Sequence, residues 1–334
     1  MRATPARLGM IFFLLTLLLG LALILSLTMG TARILPTQVW SWLWGDLKDS
    51  PLAIILSRFR WPRIVMAALI GASLSTCGVV FQGVLRNPLA EPYILGVSGG
   101  AAGGAVLANL IGRSDIWSCS GLAFLGALAT MLLVLGIARR RGRLETSTLI
   151  LCGVMINAFF TSVIMFVIST TTDHKLHAIM FWLYGDLSGS SLKQAWLLGP
   201  AVLVCGVILF FYTRHLNLLY AGDQAAAVAG VNIERTKLVL FLLVSLLCGI
   251  TVSLSGLIGF VGLMVPHLMR MVFGHDHRLL LPAAGLFGAS FLVLADTGAR
   301  TVISPAQLPV GVVTAFLGAP FFLMLLAKRG SQWW

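Results

Sequence analysis

Ten predominantly apolar stretches recur along the chain, at about residues 10–29, 64–85, 93–112, 117–138, 146–170, 196–213, 238–257, 258–273, 279–295 and 308–327. Most come close to the roughly 20 residues an α-helix needs to cross a bilayer; the stretch at 258–273 is shorter. The pattern therefore predicts ten transmembrane helices with both termini on one side. A signal peptide at residues 10–29 would need a short apolar centre of about 7–15 residues and a small-residue cleavage site. That run is longer and lacks such a site, so it reads as a retained helix. The longest polar interruptions are residues 30–63 and 214–237. The first carries Trp40, Trp42, Trp44 and Trp61 and suits an interfacial, partly amphipathic stretch outside the membrane. The second reads as two short helices, 223–229 and 232–237, about a turn at Gly230.

Composition agrees with a membrane protein. Of 334 residues, 58% are hydrophobic and 10% charged, against about 45–50% and 25% in soluble domains. This excludes a disordered chain, a disulfide-rich secreted module and an ordinary cytosolic enzyme. The five cysteines form no C-x-x-C pair and read as small core residues. The net charge of +12 comes from 23 Lys and Arg against 11 Asp and Glu. It fits basic cytoplasmic loops better than nucleic-acid binding, since no basic stripe interleaved with aromatics is present. With the N-terminus inside, 14 of the basic residues fall on inner loops and tails and 9 on outer ones. The cluster at 139–143 votes most strongly, whereas the outer arginines at 58–63 are left unexplained.

Several chemistries are missing. No G-x-x-x-x-G-K-[ST] loop is present to cradle a nucleotide. Gly96, Gly100 and Gly104 fall four apart, as do Gly99 and Gly103, which is the spacing of close helix packing rather than of a ligand loop. Ionisable residues are nearly absent at mid-span; Asp296 and Arg300 lie near the end of the ninth stretch and His267 beside a proline in the eighth. Asp173, His174 and His177 in an outer loop, and His275, Asp276 and His277 in an inner turn, read as solvated groups rather than metal sites. A pathway with neutral walls and no energy source of its own needs an external motor, for which residues 214–237 offer a docking site. An ATP-independent secondary carrier is the alternative, and it would need an ion-binding acid at mid-span.

Over nearly its whole length the chain resembles the permease subunits of ABC importers for iron-siderophores, haem and vitamin B12, the FecCD permease family. The resemblance rests on Arg60-Trp-Pro-Arg63, Gln82-Gly-Val-Leu-Arg-Asn-Pro-Leu-Ala-Glu-Pro92, Leu95-Gly-Val-Ser98, Gly256-Leu-Ile-Gly-Phe-Val-Gly-Leu-Met-Val-Pro-His267, Asp276-His-Arg-Leu-Leu-Leu-Pro282, Leu294-Ala-Asp-Thr-Gly-Ala-Arg300 and Leu308-Pro-Val-Gly-Val-Val-Thr314. It implies an all-α polytopic permease of the type II importer fold, one transmembrane domain over residues 1–334. It implies a dimer of permeases, either a homodimer or a pair of close paralogues, in the inner membrane. Two ATPase subunits would use ATP and Mg, so that this chain binds no cofactor or metal and has no catalytic residue. A periplasmic or lipid-anchored binding protein would complete the assembly. By the same resemblance Arg60, Arg63 and Arg300 dock the binding protein, with a local pair of Arg300 and Asp296 as the plainer alternative. Gly222, Asp223, Ala225, Ala226, Ala229 and Gly230 match the coupling segment seated on the ATPase, with Asp223 placed to cap its helix. Asn87 and Leu89 match one part of a cytoplasmic gate. Thr146 and Ser147 match the other and are also natural helix caps. Gly311, Ala315 and Ala319 fall four apart on the tenth helix, where they suit close packing within the chain or across the dimer.

Overall fold

A computed structural model describes residues 5–45, 50–140, 143–171 and 173–329. The chain opens with α1 (Pro5–Thr28), a short α2 (Pro36–Leu43) and α3 (Pro51–Ile54), which runs through a π-turn at Ile55–Arg60 into α4 (Trp61–Leu85). A 3-10 turn (Pro92–Leu95) precedes α5 (Val97–Leu110) and α6 (Ile116–Ala138). Two antiparallel strands of two residues each, β1 (Arg139–Arg140) and β2 (Arg143–Leu144), lead to α7 (Thr146–Thr170), α8 (Asp173–Leu183) and α9 (Leu192–Phe211). There follow α10 (Thr213–Ala221), α11 (Asp223–Val228), α12 (Ile233–Ser255), α13 (Val261–Phe273), α14 (His277–Thr301) and α15 (Val310–Arg329).

The ten expected spans correspond to α1, α4, α5, α6, α7, α9, α12, α13, α14 and α15. Among the described residues seven helices are long and apolar enough to cross a membrane, while Val97–Leu110, Val261–Phe273 and Val310–Leu325 are shorter apolar helices. At 1.5 Å per residue, the 14 residues of α5 reach about 21 Å, short of the roughly 30 Å hydrocarbon core. Irregular backbone ahead of α5 and of α13 takes up the rest, and it is buried or half-buried in protein, where such backbone is tolerated.

The polar stretch 30–63 is not one interfacial segment. Only α2 stands apart, and from Pro51 the chain is helical into the second span. Ser50 Oγ accepts the Ala53 N–H at 3.2 Å and Pro51 takes the first helical position, a favourable start. The π-turn opens the backbone just ahead of Pro62, whose ring would clash in a regular helix. Residues 173–183, expected as loop, form α8. Leu176, Ile179, Met180 and Leu183 make an apolar stripe, and buried Ile179 packs with Ala102, Val106, Ile164 and Val167.

The core is organised around α4, whose apolar window is 78% buried, with α9, α12, α13 and α14 against it. The glycines of α5 serve two neighbours. A side chain at Gly100 or Gly104 would strike the backbone of α6, and one at Gly99 or Gly103 would strike Asn157 or Phe160 of α7. All five cysteines are free; four are buried and Cys152 is half-buried.

Candidate functional site

Polar chemistry is concentrated at the two ends of the bundle. At the end where α1 and α14 finish and α4 begins, three arginines gather, two of them on one carboxylate. Arg63 Nε donates to both oxygens of Asp296 at 3.0 Å, its Nη2 reaches Oδ1 at 2.8 Å, and Nη1 donates to Gln307 Oε1 at 2.7 Å. One turn along α14, Arg300 Nε lies 3.1 Å from Asp296 Oδ2, and its Nη2 donates to Ser26 Oγ at 2.7 Å. Arg60 donates to the carbonyls of Leu27 and Ala32. All three arginines are buried, so they tie α1, α4 and α14 together. The local pair of Arg300 and Asp296 is present, and Arg63 joins it from a position 233 residues away. A cavity of about 300 Å³ opens against these arginines, Phe59 and Gln307. Arg33 and Arg58 nearby are exposed.

The opposite end holds α10 and α11. Asp223 does not cap α11: the cap position is Gly222, with no side-chain bond. Asp223 lies in the first turn, where its negative charge still favours the helix N-terminus, and its carboxylate is used elsewhere. Oδ1 pairs with Arg86 and Oδ2 accepts from Lys237 Nζ at 2.8 Å. Ala226 faces inward and is fully buried, whereas Ala225, Ala227 and Ala229 face outward and Val228 is 92% exposed. Gly230, at φ +81°, turns the chain out of α11, with the Val231 N–H closing on Ala226 O at 3.0 Å. The second short helix expected at 232–237 is the first turn of α12, capped by Asn232 Oδ1 on the Arg235 N–H at 3.0 Å.

At residues 275–277, His275 and Asp276 lie at the surface as expected, whereas His277 does not. Asp276 Oδ1 accepts the Arg278 N–H at 3.0 Å, which caps α14, and also Asn217 Nδ2 at 2.8 Å. His277 is fully buried, with Nδ1 2.7 Å from Asn217 Oδ1. His275 stacks on Tyr220 at 5.6 Å. Burial, reinforced by the Arg270 guanidinium, pushes the His275 imidazole below its ordinary pKa. Among the described residues no His, Cys, Asp and Glu form a metal-holding group. His177 packs on Phe181 at 4.3 Å; the side chains of Asp173 and His174 lie outside the described set.

Of the two expected gate segments, Asn87–Leu89 follows directly on Arg86, which sits in the left-handed region at φ +50°. Asn87 Oδ1 accepts the Leu89 N–H at 2.9 Å, fixing a tight turn, and Leu89 is half-buried. Beyond it, Glu91 accepts the Phe260 N–H at 2.8 Å. The Tyr93 hydroxyl donates to Ile258 O at 2.9 Å and accepts the Ile258 N–H at 3.1 Å. Asn157 of α7 braces the same stretch, donating to Tyr93 O at 2.9 Å and accepting the Gly99 N–H at 3.0 Å. The irregular backbones before α5 and α13 are thus bonded to each other. Thr146 and Ser147 are the first residues of α7 rather than its cap, which is Glu145, without a side-chain cap bond. Ser147 is exposed, and the Thr146 side chain lies outside the described set. Gly311 packs within the chain, where a side chain would strike Tyr184 and Leu257, while Ala315 and Ala319 are half-buried.

Sequence reasoning missed Arg86, Lys237, Glu91, Tyr93 and Val228. Arg86 and Glu91 lie inside the quoted motif; the other three carry no local signal.

Residues 17–328 match the model of the FecCD transport family. The vitamin B12 import system permease protein BtuC of Escherichia coli O6:H1 is 38% identical over 320 residues, covering 95% of this chain and 94% of that protein. The hemin transport system permease protein HmuU of Yersinia pestis is 37% identical over 324 residues, covering 95% and 97%. The solved structure of a metal-chelate type ABC transporter in an inward-facing conformation superposes with a TM-score of 0.84 at 33% identity, covering 96% of this chain and 99% of that one. With the family model matched over most of its length and relatives 37–38% identical along nearly their whole length, this multi-pass chain belongs to the FecCD transport family.

Proposed function

We propose that the chain is the membrane-spanning permease subunit of an ATP-binding-cassette importer in the inner membrane, carrying an iron chelate, haem or cobalamin. The observation that carries this reading is α11. It is a short helix with small residues and the 92% exposed Val228 turned outward, in a chain without a phosphate-binding loop of its own. Such a helix suits a cleft on a separate ATP-binding subunit, which would use ATP and Mg. In this reading α10 and α11 lie in the cytoplasm with both termini, as the basic loops favour.

At the outer end, two guanidiniums on one carboxylate, with Arg60 on backbone carbonyls beside them, leave net positive charge around an open cavity. That is complementary to carboxylates on a binding protein, and such charge chiefly sets association rate and orientation. Exposed Arg33 and Arg58 extend the same field. A second copy or a close paralogue meets this chain along α7 and α15, where Phe159, Phe166 and Phe316 are exposed; Ala315 and Ala319 flank that contact. ATP-driven movement at α11 shifts Asn87–Leu89 and the start of α7, with Thr146 and Ser147, between outward- and inward-open states. A secondary carrier would need an acid free to take an ion, whereas Asp296 is held by two arginines and Glu91 by the Phe260 N–H.

The test is uptake into vesicles holding the permease and its ATP-binding subunit, with binding protein outside and cyanocobalamin, hemin and a ferric siderophore as separate probes. ATP-dependent uptake of one of them, lost when the ATP-binding subunit is omitted, is the expected result. Uptake driven by an ion gradient without ATP overturns the reading.

A further inference from the structure

We propose that Arg86 and Asp223 are positioning residues that join the coupling helix to the gate, so that movement of α11 is delivered directly to Asn87–Leu89. The inference rests on the importer reading above and adds to it a specific physical link.

Arg86 is the last residue before the gate segment. Its Nε donates to Leu219 O at the end of α10 at 2.9 Å, and its Nη2 pairs with Asp223 at the start of α11. One planar guanidinium therefore spans both sides of the joint between α10 and α11, a two-point hold that an ammonium cannot reproduce. The other oxygen of Asp223 is held by Lys237, whose side chain is only 10% exposed, so the carboxylate is fixed in place rather than free to swing. The backbone of Arg86 is left-handed, at φ 50° and ψ 34°, which L residues other than Gly, Asn and Asp seldom adopt. The side-chain bonds hold it there.

The far end of the gate segment is anchored as well. Glu91 accepts the Phe260 N–H and Tyr93 is doubly bonded to Ile258. Asn87–Ala90 is thus suspended between the coupling helix and the approach to α13, and its internal turn is stiffened by Asn87. A displaced α11 carries Asp223, Asp223 carries Arg86, and Arg86 is covalently continuous with Asn87. Since Arg86 and Asp223 are about 40% exposed, the pair adds little stability in isolation. Its contribution is the registry of two moving parts.

The experiment reads the gate directly and needs no cargo. L89C is introduced into the full complex with its ATP-binding subunit, and its labelling by a membrane-impermeant maleimide is timed with and without ATP and Mg; the chain without L89C supplies the background. With Arg86 and Asp223 intact, ATP is expected to change the labelling rate by about fivefold or more. R86G, which tolerates the left-handed backbone but cannot make the link, reduces that change to less than about twofold. D223N does the same, and R86G with D223N is no worse than R86G alone. R86K, retained if D223N fails to assemble, gives an intermediate response because its cation cannot hold both acceptors. A full ATP response in R86G, or additive losses in the double variant, overturns the link while the importer reading stands. No ATP response at L89C in the otherwise native complex overturns both.

Discussion

Replacing Asp296 by Asn removes the one negative charge beneath two buried guanidiniums while keeping the side chain's size. The Asp296 side chain is 1% exposed, and those of Arg63 and Arg300 are 7% and 6%, so water replaces little of what the carboxylate supplies. The amide keeps one acceptor oxygen but turns an NH2 toward a guanidinium, so the charge pairing of Arg63 and Arg300 is lost together with the contacts to the second oxygen; Arg63 keeps Gln307 and Arg300 keeps Ser26. Stranding buried charge in this way costs roughly 3–5 kcal/mol. R63Q leaves the carboxylate with Arg300 and should cost about 2–3 kcal/mol, and R300Q leaves the closer Arg63 pairing intact at about 1–2 kcal/mol, on the scale of charge-assisted hydrogen bonds. At roughly 2 °C per kcal/mol for a large domain, D296N lowers the midpoint of thermal unfolding in detergent by about 6–10 °C. The assay is the midpoint at one heating rate, with amide exchange of the connection between α1 and α2 as a local readout. The decisive feature is the order D296N, R63Q, R300Q from most to least damaging. If D296N unfolds with or later than R300Q, the carboxylate is not what holds these arginines.

Three further outcomes follow from the geometry. V228E places a charge on the most exposed apolar residue of α11 and should cut co-purification of the ATP-binding subunit by more than about tenfold. The chain's own stability should move by less than about 0.5 kcal/mol, as for other exposed positions. G100L drives a side chain into the α6 backbone and Thr130; it should cost about 1–3 kcal/mol, read as a lower unfolding midpoint, and equal stability would contradict the packing of α5 on α6. His275 has a pKa depressed by burial and by Arg270, so the folded chain binds its proton less readily than the unfolded one. Its contribution is therefore complete above the ordinary histidine value of about 6.5 and is lost as pH falls below it. H275N should flatten stability measured between about pH 5 and pH 8, and an unchanged pH profile would remove His275 from the account.

The ten spans were legible because a bilayer imposes length and apolarity on each segment independently, with no knowledge of its neighbours. The glycine spacing of α5 was legible for the same reason, since small residues four apart define a face. Other features depended on partners remote in sequence. Arg58, Arg60 and Arg63 dilute the hydropathy ahead of residue 64, so the start of the second helix at Pro51 was hidden, although Arg63 is offset by Asp296 and Arg60 by carbonyls of α1 and its following turn, while Arg58 is exposed. The stripe of α8 is only 11 residues long and follows a polar run, too little for an apolar window. Asp223 looked like a cap because Asp after Gly at a helix start normally is one; only Arg86 and Lys237, 137 and 14 residues away, redirect it. The arginines that the loop-charge bias left unexplained do share one end of the bundle, but their sequence could not show that Arg60, Arg63 and Arg300 are buried.

The two ends are not independent, because the same two helices reach both. α4 carries Arg63 in its first turn and ends at Leu85, directly before Arg86, after 25 residues or about 37 Å of continuous helix. α14 runs the opposite way, from His277 against Asn217 to Asp296 and Arg300. Between these ends the helices meet at Gly71 and Gly288, where a side chain on either would collide with the other's backbone. Contact that close leaves little freedom to slide, so the pair is constrained to move as a unit. In the proposed transport cycle, a tilt that opened the arginine cluster at one end would therefore displace Arg86 and Asn87–Leu89 at the other, through a close glycine contact rather than through charge.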